Sequence, residues 1–207
     1  MKTIYKILPV LALFIFAACE ENDATKDYGF AKVYIPQATV TGLDNSYPIP
    51  LGPLNQNSVY ACKYDDASGV LDIEVGVIRS GYFAVQKGYS VDLSVSAALT
   101  SDKLDAYADA GTPAAELSSS VVTVPSKISV PDGQSGNSVY VCVDLKALSL
   151  QKSSLFVVDR YKLLVLGLEI SNPTEYELAD NNTSVVIVLD LNSEHWSADV
   201  RTLFPMN

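Results

Sequence analysis

Residues 90–97, SVDLSVSA, alternate apolar and polar side chains with a period of two. Residues 70–78, VLDIEVGVI, repeat this pattern, with aliphatic residues at every odd position and two carboxylates between them. Such alternation turns one face of a strand toward a core and the other toward solvent. The two stretches therefore predict a pair of half-buried β-strands, and they decide the fold class.

Seven further stretches along the chain have strand character, and turns rich in Gly, Pro, Asn and Asp separate them. They are residues 32–35, 58–64, 121–124, 127–130, 138–145, 162–170 and 184–191. One short helix is predicted over residues 102–110, with Ser101 as its cap. Because strands do not alternate with helices, we expect an all-β, antiparallel sandwich over residues 31–192, with a closed barrel as the structural alternative. Residues 193–207 are interpreted as a C-terminal tail.

The start of the chain has the features of a targeting segment. Residues 1–18 combine two lysines, an apolar run and the small pair Ala17 and Ala18, directly before Cys19. The apolar run is too short to span a bilayer stably. The order of residues resembles a bacterial lipobox, in which the cysteine is acylated after the signal peptide is removed. We therefore expect lipid attachment at Cys19, which makes outer-membrane lipid a partner.

Residues 19–30 are predicted to form a flexible acidic tether. Glu20, Glu21 and Asp23 resemble the export signal that sends lipoproteins of the Bacteroidetes to the outer face of the outer membrane. This resemblance implies a lipid-anchored protein that faces the cell exterior.

The composition excludes several classes of function. The 207 residues include 14 basic and 24 acidic side chains, a net charge of −10, and loss of the signal peptide removes two lysines and no acid, which leaves −12. A general nucleic-acid binder is disfavoured, because phosphates would be repelled. One His and three Cys leave little for a metal site, and no nucleophile elbow or phosphate loop is present. We expect no cofactor, no metal and no enzymatic activity.

Two cysteines remain for the folded domain. Cys62 and Cys142 would form a disulfide if their strands were neighbours, since an exported chain meets conditions in which disulfides persist. Both are equally consistent with small buried side chains, as free cysteines commonly are. We favour the reduced, buried pair.

Tyrosine is abundant, with 12 residues against six Phe and one Trp. Binding of glycans generally uses a flat aromatic ring beside polar groups, because sugar C–H faces stack on rings while hydroxyls require hydrogen bonds. Tyr47, in a Pro-rich segment, and Trp196, near the C-terminus, are the candidate stacking residues. Ordinary packing is the alternative for each.

The order of these signals resembles the immunoglobulin-like domain found near the N-terminus of many Bacteroidetes surface lipoproteins that are encoded with glycan-uptake systems. The matching stretches are 33–36, 70–78, 90–97, 104–111, 122–124, 128–134, 161–170 and 183–189. The resemblance implies an immunoglobulin-like sandwich and a link to glycan uptake, but it supplies no catalytic residue. In the family a glycan-binding or glycosidase domain usually follows, whereas only residues 192–207 remain here.

Two functional hypotheses follow. The first is a non-catalytic surface lipoprotein that binds polysaccharide or supports an outer-membrane glycan transporter complex. The second is an adhesin or pilus-type subunit that assembles by exchange of a strand such as residues 32–35 or 184–191. An enzyme, with paired carboxylates such as Asp72 and Glu74, comes third.

Overall fold

A computed structural model of the chain describes residues 31–42, 44–52, 62–81, 83 and 85–205. The predicted signal peptide, Cys19 and the predicted tether lie outside the described residues, so their assignments stay predictions. Within the described part, the chain forms two six-stranded sheets, one two-stranded hairpin and several helices.

The first sheet contains β1 (Lys32–Tyr34), β3 (Cys62–Asp65), β4 (Val70–Arg79), β7 (Val122–Thr123), β9 (Gly136–Asp144) and β13 (Glu177–Leu178). Its strand order is β13-β1-β4-β9-β7. β3 and β1 pair with the same edge of β4, β3 at residues 70–73 and β1 at residues 78 and 79. The second sheet contains β2 (Ser46–Ile49), β5 (Tyr89–Val95), β6 (Ala114–Glu116), β8 (Lys127–Val130), β12 (Leu163–Ser171) and β14 (Ser184–Leu189). Its order is β2-β14-β12-β5-β8, with β6 paired to β12.

The remaining elements lie between and after these strands. A 3-10 helix covers Pro36–Thr39, and β10 (Phe156–Val157) pairs with β11 (Arg160–Tyr161) as a hairpin. The α-helices are α1 (Ala97–Asp109), α2 (Leu145–Ser149), α3 (Lys152–Leu155) and α4 (Ala198–Leu203).

The two sheets pack face to face around one apolar core, which confirms the predicted β-sandwich. Each long strand buries alternate side chains: β4 contributes its odd positions 71–77, and β12 contributes its even positions 164–170. Side chains from both sheets belong to one continuous cluster. The alternation read from the sequence therefore assigns the inner face of β4 correctly, together with Val91 and Leu93 of β5. It also predicts Val95 and Ala97 inside, but both are exposed, because β5 ends at Val95 and the chain continues into a helix at Ala97.

The sheets are mixed rather than wholly antiparallel, which corrects the prediction. β1 pairs with β13, β12 with β6 and β14 with β2 in parallel, and all other pairs are antiparallel. The Pro-rich segment 45–53 around Tyr47 predicts a loop, whereas the structure forms β2 within it. β2 lies at the edge of its sheet, where a residue without an N–H, such as Pro48, is tolerated.

The two strands proposed for exchange between subunits lie inside their sheets. β1 pairs with both β13 and β4, and β14 pairs with both β2 and β12. Donating either strand to another subunit would break hydrogen bonds on both of its sides. This arrangement gives no support to the adhesin hypothesis.

Helix α1 begins at Ala97, five residues before the predicted start, because β5 ends at Val95 and Ser96 occupies the N-cap position. The helix covers the outer face of the second sheet, where Val165, Val186 and Val188 form a second buried cluster. Lys103 of the helix pairs with Asp44 at 2.8 Å. This hydrogen bond holds the pKa of Asp44 well below its usual range and ties the helix to the loop before β2.

Gly167 of β12 lets the start of α1 approach the sheet closely. A Cβ at this position would lie 2.7 Å from Cβ of Leu99 and 2.8 Å from the carbonyl oxygen of Ser96. The Thr100 hydroxyl accepts the N–H of Gly167 at 2.9 Å, and Gly167 O accepts the N–H of Ser96 at 2.9 Å. The glycine is therefore required for space.

We expect Gly167→Ala to destabilise the protein by about 1–3 kcal/mol, because the added methyl group must push α1 away from β12. Urea denaturation followed by circular dichroism measures the change. Ser171→Ala, on the same face of the same strand, is the control and should stay within about 0.5 kcal/mol of the wild type. Equal stability of Gly167→Ala and wild type would contradict this packing.

The C-terminal residues belong to the domain, so the predicted boundary at residue 192 comes too early. Trp196, Val200 and Phe204 are each no more than 2% exposed and join the main core. The Tyr161 ring packs edge-on against Phe204 at 5.6 Å, and its hydroxyl donates to the Pro205 carbonyl at 3.1 Å. Residues 193–205 close one end of the sandwich rather than forming a free tail.

We expect Phe204→Ala to cost about 3–5 kcal/mol in the free energy of unfolding, since it removes a buried aromatic ring. Arg201→Ala, an exposed change on the same helix, should cost little. Chemical denaturation of the two variants in parallel tests the role of this segment. If both variants matched the wild type, residues 193–205 would not be part of the cooperative unit.

Candidate functional site

Neither predicted stacking residue is accessible to a ligand. Tyr47 lies in β2 opposite Ile187 and is 0% exposed, within the core between the sheets. Trp196 is 2% exposed, and its ring N–H donates to the Asp190 carbonyl at 2.7 Å. Both rings therefore serve packing, and the prediction that they stack on sugar is wrong for this structure.

Cys62 and Cys142 are both free thiols, as favoured from the sequence. Their strands, β3 and β9, flank β4 on opposite sides, which places the two Cα atoms about 10 Å apart by ordinary strand spacing. Disulfides require Cα atoms within roughly 7 Å. Cys62 also lies opposite Ile73 on the core side, whereas Cys142 lies opposite Asp72 on the outer side. The geometry therefore rules out a bond between them in this fold.

The expected burial holds better for Cys62 than for Cys142. Cys62 is partly buried against the core, and burial raises its pKa to about 11. Cys142 is partly buried on the outer face, where burial first and then the nearby Asp72 carboxylate raise its pKa to about 11. A protonated thiol is a poor nucleophile, so neither cysteine is activated for catalysis.

The outer face of the first sheet carries the best candidate site. Directly opposite residues of an antiparallel pair share a face, and the register pairs Tyr140 with Glu74 and Ser138 with Gly76. Tyr140 is 49% exposed and is the only exposed Phe, Tyr or Trp side chain among the described residues. We call this surface, formed by Glu74, Gly76, Ser138 and Tyr140, the Tyr140 face.

A groove of about 420 Å³ runs beside Tyr140. It is lined by Pro36, Gln37, Glu74, Gly76, Val77, Ile78, Ser135, Gly136, Asn137 and Ser138. Gly76 lines the groove without a side chain, and a Cβ there would meet the Asn137 carbonyl oxygen at 2.9 Å and Ser138 Cβ at 3.1 Å, so the glycine is required for the close approach of β9. Tyr140 stands diagonally across from Gly76, at about 7–8 Å between Cα atoms, which is within reach of an aromatic ring.

Gln37 closes the side of the groove. β1 pairs with β4 at Ile78 and Arg79, and β3 pairs with it over 70–73, so a stretch of this β4 edge lies between two partner strands. The Gly76 N–H in that stretch donates to Oε1 of Gln37 at 3.1 Å, and Gln37 is 4% exposed. The 3-10 helix thus fills the gap with a side-chain hydrogen bond and fixes one wall of the groove.

Two polar side chains of the Tyr140 face are left for a ligand. In the described part of the chain, neither Glu74 nor the Ser138 hydroxyl makes a side-chain hydrogen bond or an ion pair. Asn137 is already engaged, since its amide donates to the Ser129 carbonyl at 2.7 Å. An exposed ring can bind the apolar face of a ligand, and a carboxylate and a hydroxyl that have no partner among the described residues can bind its hydroxyl groups.

A second cavity, of about 450 Å³, lies at the end of the sandwich near Asp190 and Asn192. Its polar groups are largely used within the protein. The Asn192 amide accepts the Tyr161 N–H at 2.7 Å and donates to the Tyr161 carbonyl and to Asp190 Oδ1, each at 2.9 Å. These bonds hold the C-terminal segment in place. We therefore interpret the polar groups of this cavity as structural rather than as ligand-binding.

The described residues contain no group of three or more His, Cys, Asp or Glu side chains that could hold a metal ion. Over the same residues, no helix combines the length and apolar content required to cross a bilayer.

The sequence of β9 carries a signal for the exposure of Tyr140. Val139, Val141 and Val143 alternate with Ser138, Tyr140 and Cys142. The valines define the core face, which places Tyr140 among polar residues on the other face. The similar stretches 57–62, NSVYAC, and 137–142, NSVYVC, favour two strands of similar burial. The register instead places Cys62 and Cys142 on opposite sides of the sheet.

The chain matches no model of a known protein family and no curated protein. Comparison with solved structures does find similar chains. A proposed carbohydrate-binding protein from Bacteroides ovatus is 13% identical, with a TM-score of 0.46, and the match covers 77% of this chain and 36% of that chain. A protein of unknown function from the same organism is 15% identical, with a TM-score of 0.49, covering 77% of this chain and 46% of the other.

A third match is a multidomain protein from Bacteroides ovatus that includes DUF1735. It is 13% identical, with a TM-score of 0.45, and the match covers 77% of this chain and 43% of that one. The chain thus spans between about a third and half of the length of these proteins. These three structural neighbours are Bacteroides proteins of largely unknown function, and the likeness assigns no activity.

We expect Cys62 and Cys142 to stay reduced and to react slowly in the folded protein. Their raised pKa values leave little thiolate at pH 8, so alkylation by iodoacetamide should be at least about tenfold slower than for free cysteine. Denaturation without reductant should expose both thiols, and Cys142→Ser should lose one label by mass spectrometry. A chain that gains label at these cysteines only after reduction would contradict the free pair.

Proposed function

We propose that this chain is a non-catalytic, lipid-anchored surface protein that binds glycan through the Tyr140 face. The observation that carries the proposal is an exposed aromatic ring directly opposite an unpaired carboxylate, beside an open groove. A sugar ring stacked on Tyr140 would place its hydroxyls near Glu74 and Ser138. This recognition requires no chemistry beyond hydrogen bonds and ring contact.

The cellular setting of the proposal comes from the sequence. Acylation at Cys19 would anchor the chain in the outer membrane, and the acidic residues that follow fit export to the cell exterior. The resemblance to immunoglobulin-like domains of Bacteroidetes lipoproteins implies a more specific role, in glycan uptake beside an outer-membrane transporter complex. One carboxylate, one hydroxyl and one stacking ring suit capture of polysaccharide before transport.

We expect Tyr140→Ala to weaken polysaccharide binding by about tenfold or more, because an aromatic anchor of this kind contributes roughly 1–2 kcal/mol. Tyr140→Phe, which keeps the ring, should retain most of the affinity. Isothermal calorimetry or affinity electrophoresis against a panel of polysaccharides measures both.

The matched control is Val95→Ala, since Val95 is 47% exposed but lies in the other sheet. It should leave binding unchanged. Absence of binding to every polysaccharide by the wild-type chain would overturn the proposed function. Equal binding by wild type and Tyr140→Ala would instead move the site away from the Tyr140 face.

A further inference from the structure

The charges around the Tyr140 face are unequal along β4. Asp72 has a cation directly opposite it, because Lys63 of β3 is its register partner. Glu74, one step further on the same face, is opposite the neutral Tyr140. It forms no ion pair within the described part of the chain. The groove therefore carries one uncompensated negative charge at its side.

An uncompensated carboxylate discriminates between ligands by their charge. A carboxylate or sulfate on a sugar held about 4 Å from Glu74 would be repelled enough to weaken binding about fivefold for each charge, even at the dielectric constant of water. A neutral sugar meets no such penalty. Its hydroxyls would donate to the charged oxygen atoms, and hydrogen bonds to an ionised acceptor are stronger than those between neutral groups.

The position of Glu74 makes this effect hard to avoid. Glu74 and Tyr140 are directly opposite across the β4–β9 pair, so their Cα atoms are about 4.5–5.5 Å apart. A ring stacked on Tyr140 thus lies beside the carboxylate whichever way the glycan chain runs. The whole chain is also acidic, with a net charge of −10.

We infer that the Tyr140 face selects neutral glycans, polymers of unmodified hexoses or pentoses, and rejects glycans that carry uronic acids or sulfate. This inference rests on the proposed function. Glu74 is the residue that sets the selectivity, by accepting hydroxyl donors and by repelling anions.

The test compares neutral and acidic probes on the full-length chain in detergent. Laminarin, glucomannan and xyloglucan are the neutral probes, and polygalacturonate and chondroitin sulfate are the acidic ones. At 20 mM salt we expect at least one neutral probe to bind ten times or more as tightly as either acidic probe. The difference should shrink at 500 mM salt, because screening shortens the range of the repulsion.

Two variants assign the selectivity to Glu74. Glu74→Gln should reduce the ratio between neutral and acidic probes several-fold and should weaken binding of the neutral probe. Asp102→Asn removes the same charge from the exposed side of α1, over the other sheet, and should leave the ratio unchanged.

The outcomes separate this inference from the proposed function. Acidic probes that bind as tightly as neutral ones, or more tightly, would overturn the neutral selectivity while glycan binding stands. Binding of no probe at all would overturn the proposed function itself. An equal effect of Glu74→Gln and Asp102→Asn would show that net charge, rather than Glu74, sets the preference.

Discussion

The structure depends on the long antiparallel pairing of β4 with β9. Nine consecutive residue pairs, from Val70 with Asp144 to Ile78 with Gly136, hold these strands in one register. Because side chains alternate across a strand, this register decides the face on which every residue of both strands lies. It turns the apolar residues of β4 into the core and sets Tyr140 beside Glu74. A slip of one residue would bury the carboxylates and expose the core, so the candidate site and the core are fixed by the same hydrogen bonds.

Two glycines allow neighbouring parts of the chain to approach the sheets more closely than a side chain would permit. Gly167 admits the start of α1 against the second sheet, and Gly76 admits the Asn137 carbonyl and the Ser138 side chain of β9. Neither glycine has a positive φ, so both are required for space and not for backbone conformation. One glycine makes room for a helix over its sheet, and the other makes room for the neighbouring strand.

Much of the fold followed from local patterns. The bounds of β8 were predicted correctly, and those of β4 and β12 to within one residue at each end. The start of α1 was missed because residues 95–97 continue the alternation of β5, and the close contact of Leu99 with Gly167 is not visible in sequence. β2 was missed because its partner strand, β14, lies about 140 residues later in the chain, and no local pattern indicates that the two strands pair. Short strands such as β13 carry too few residues to show a period.

The sequence alone determined the strand-rich class, the apolar face of β4 and the expectation of a lipid anchor, because these depend on residues that are neighbours along the chain. The tertiary structure decided which rings are accessible. It buried Tyr47 and Trp196, exposed Tyr140 and separated Cys62 from Cys142 by a strand. Exposure and distance depend on which strands become neighbours, and that choice is made by packing of the whole core rather than by any local stretch.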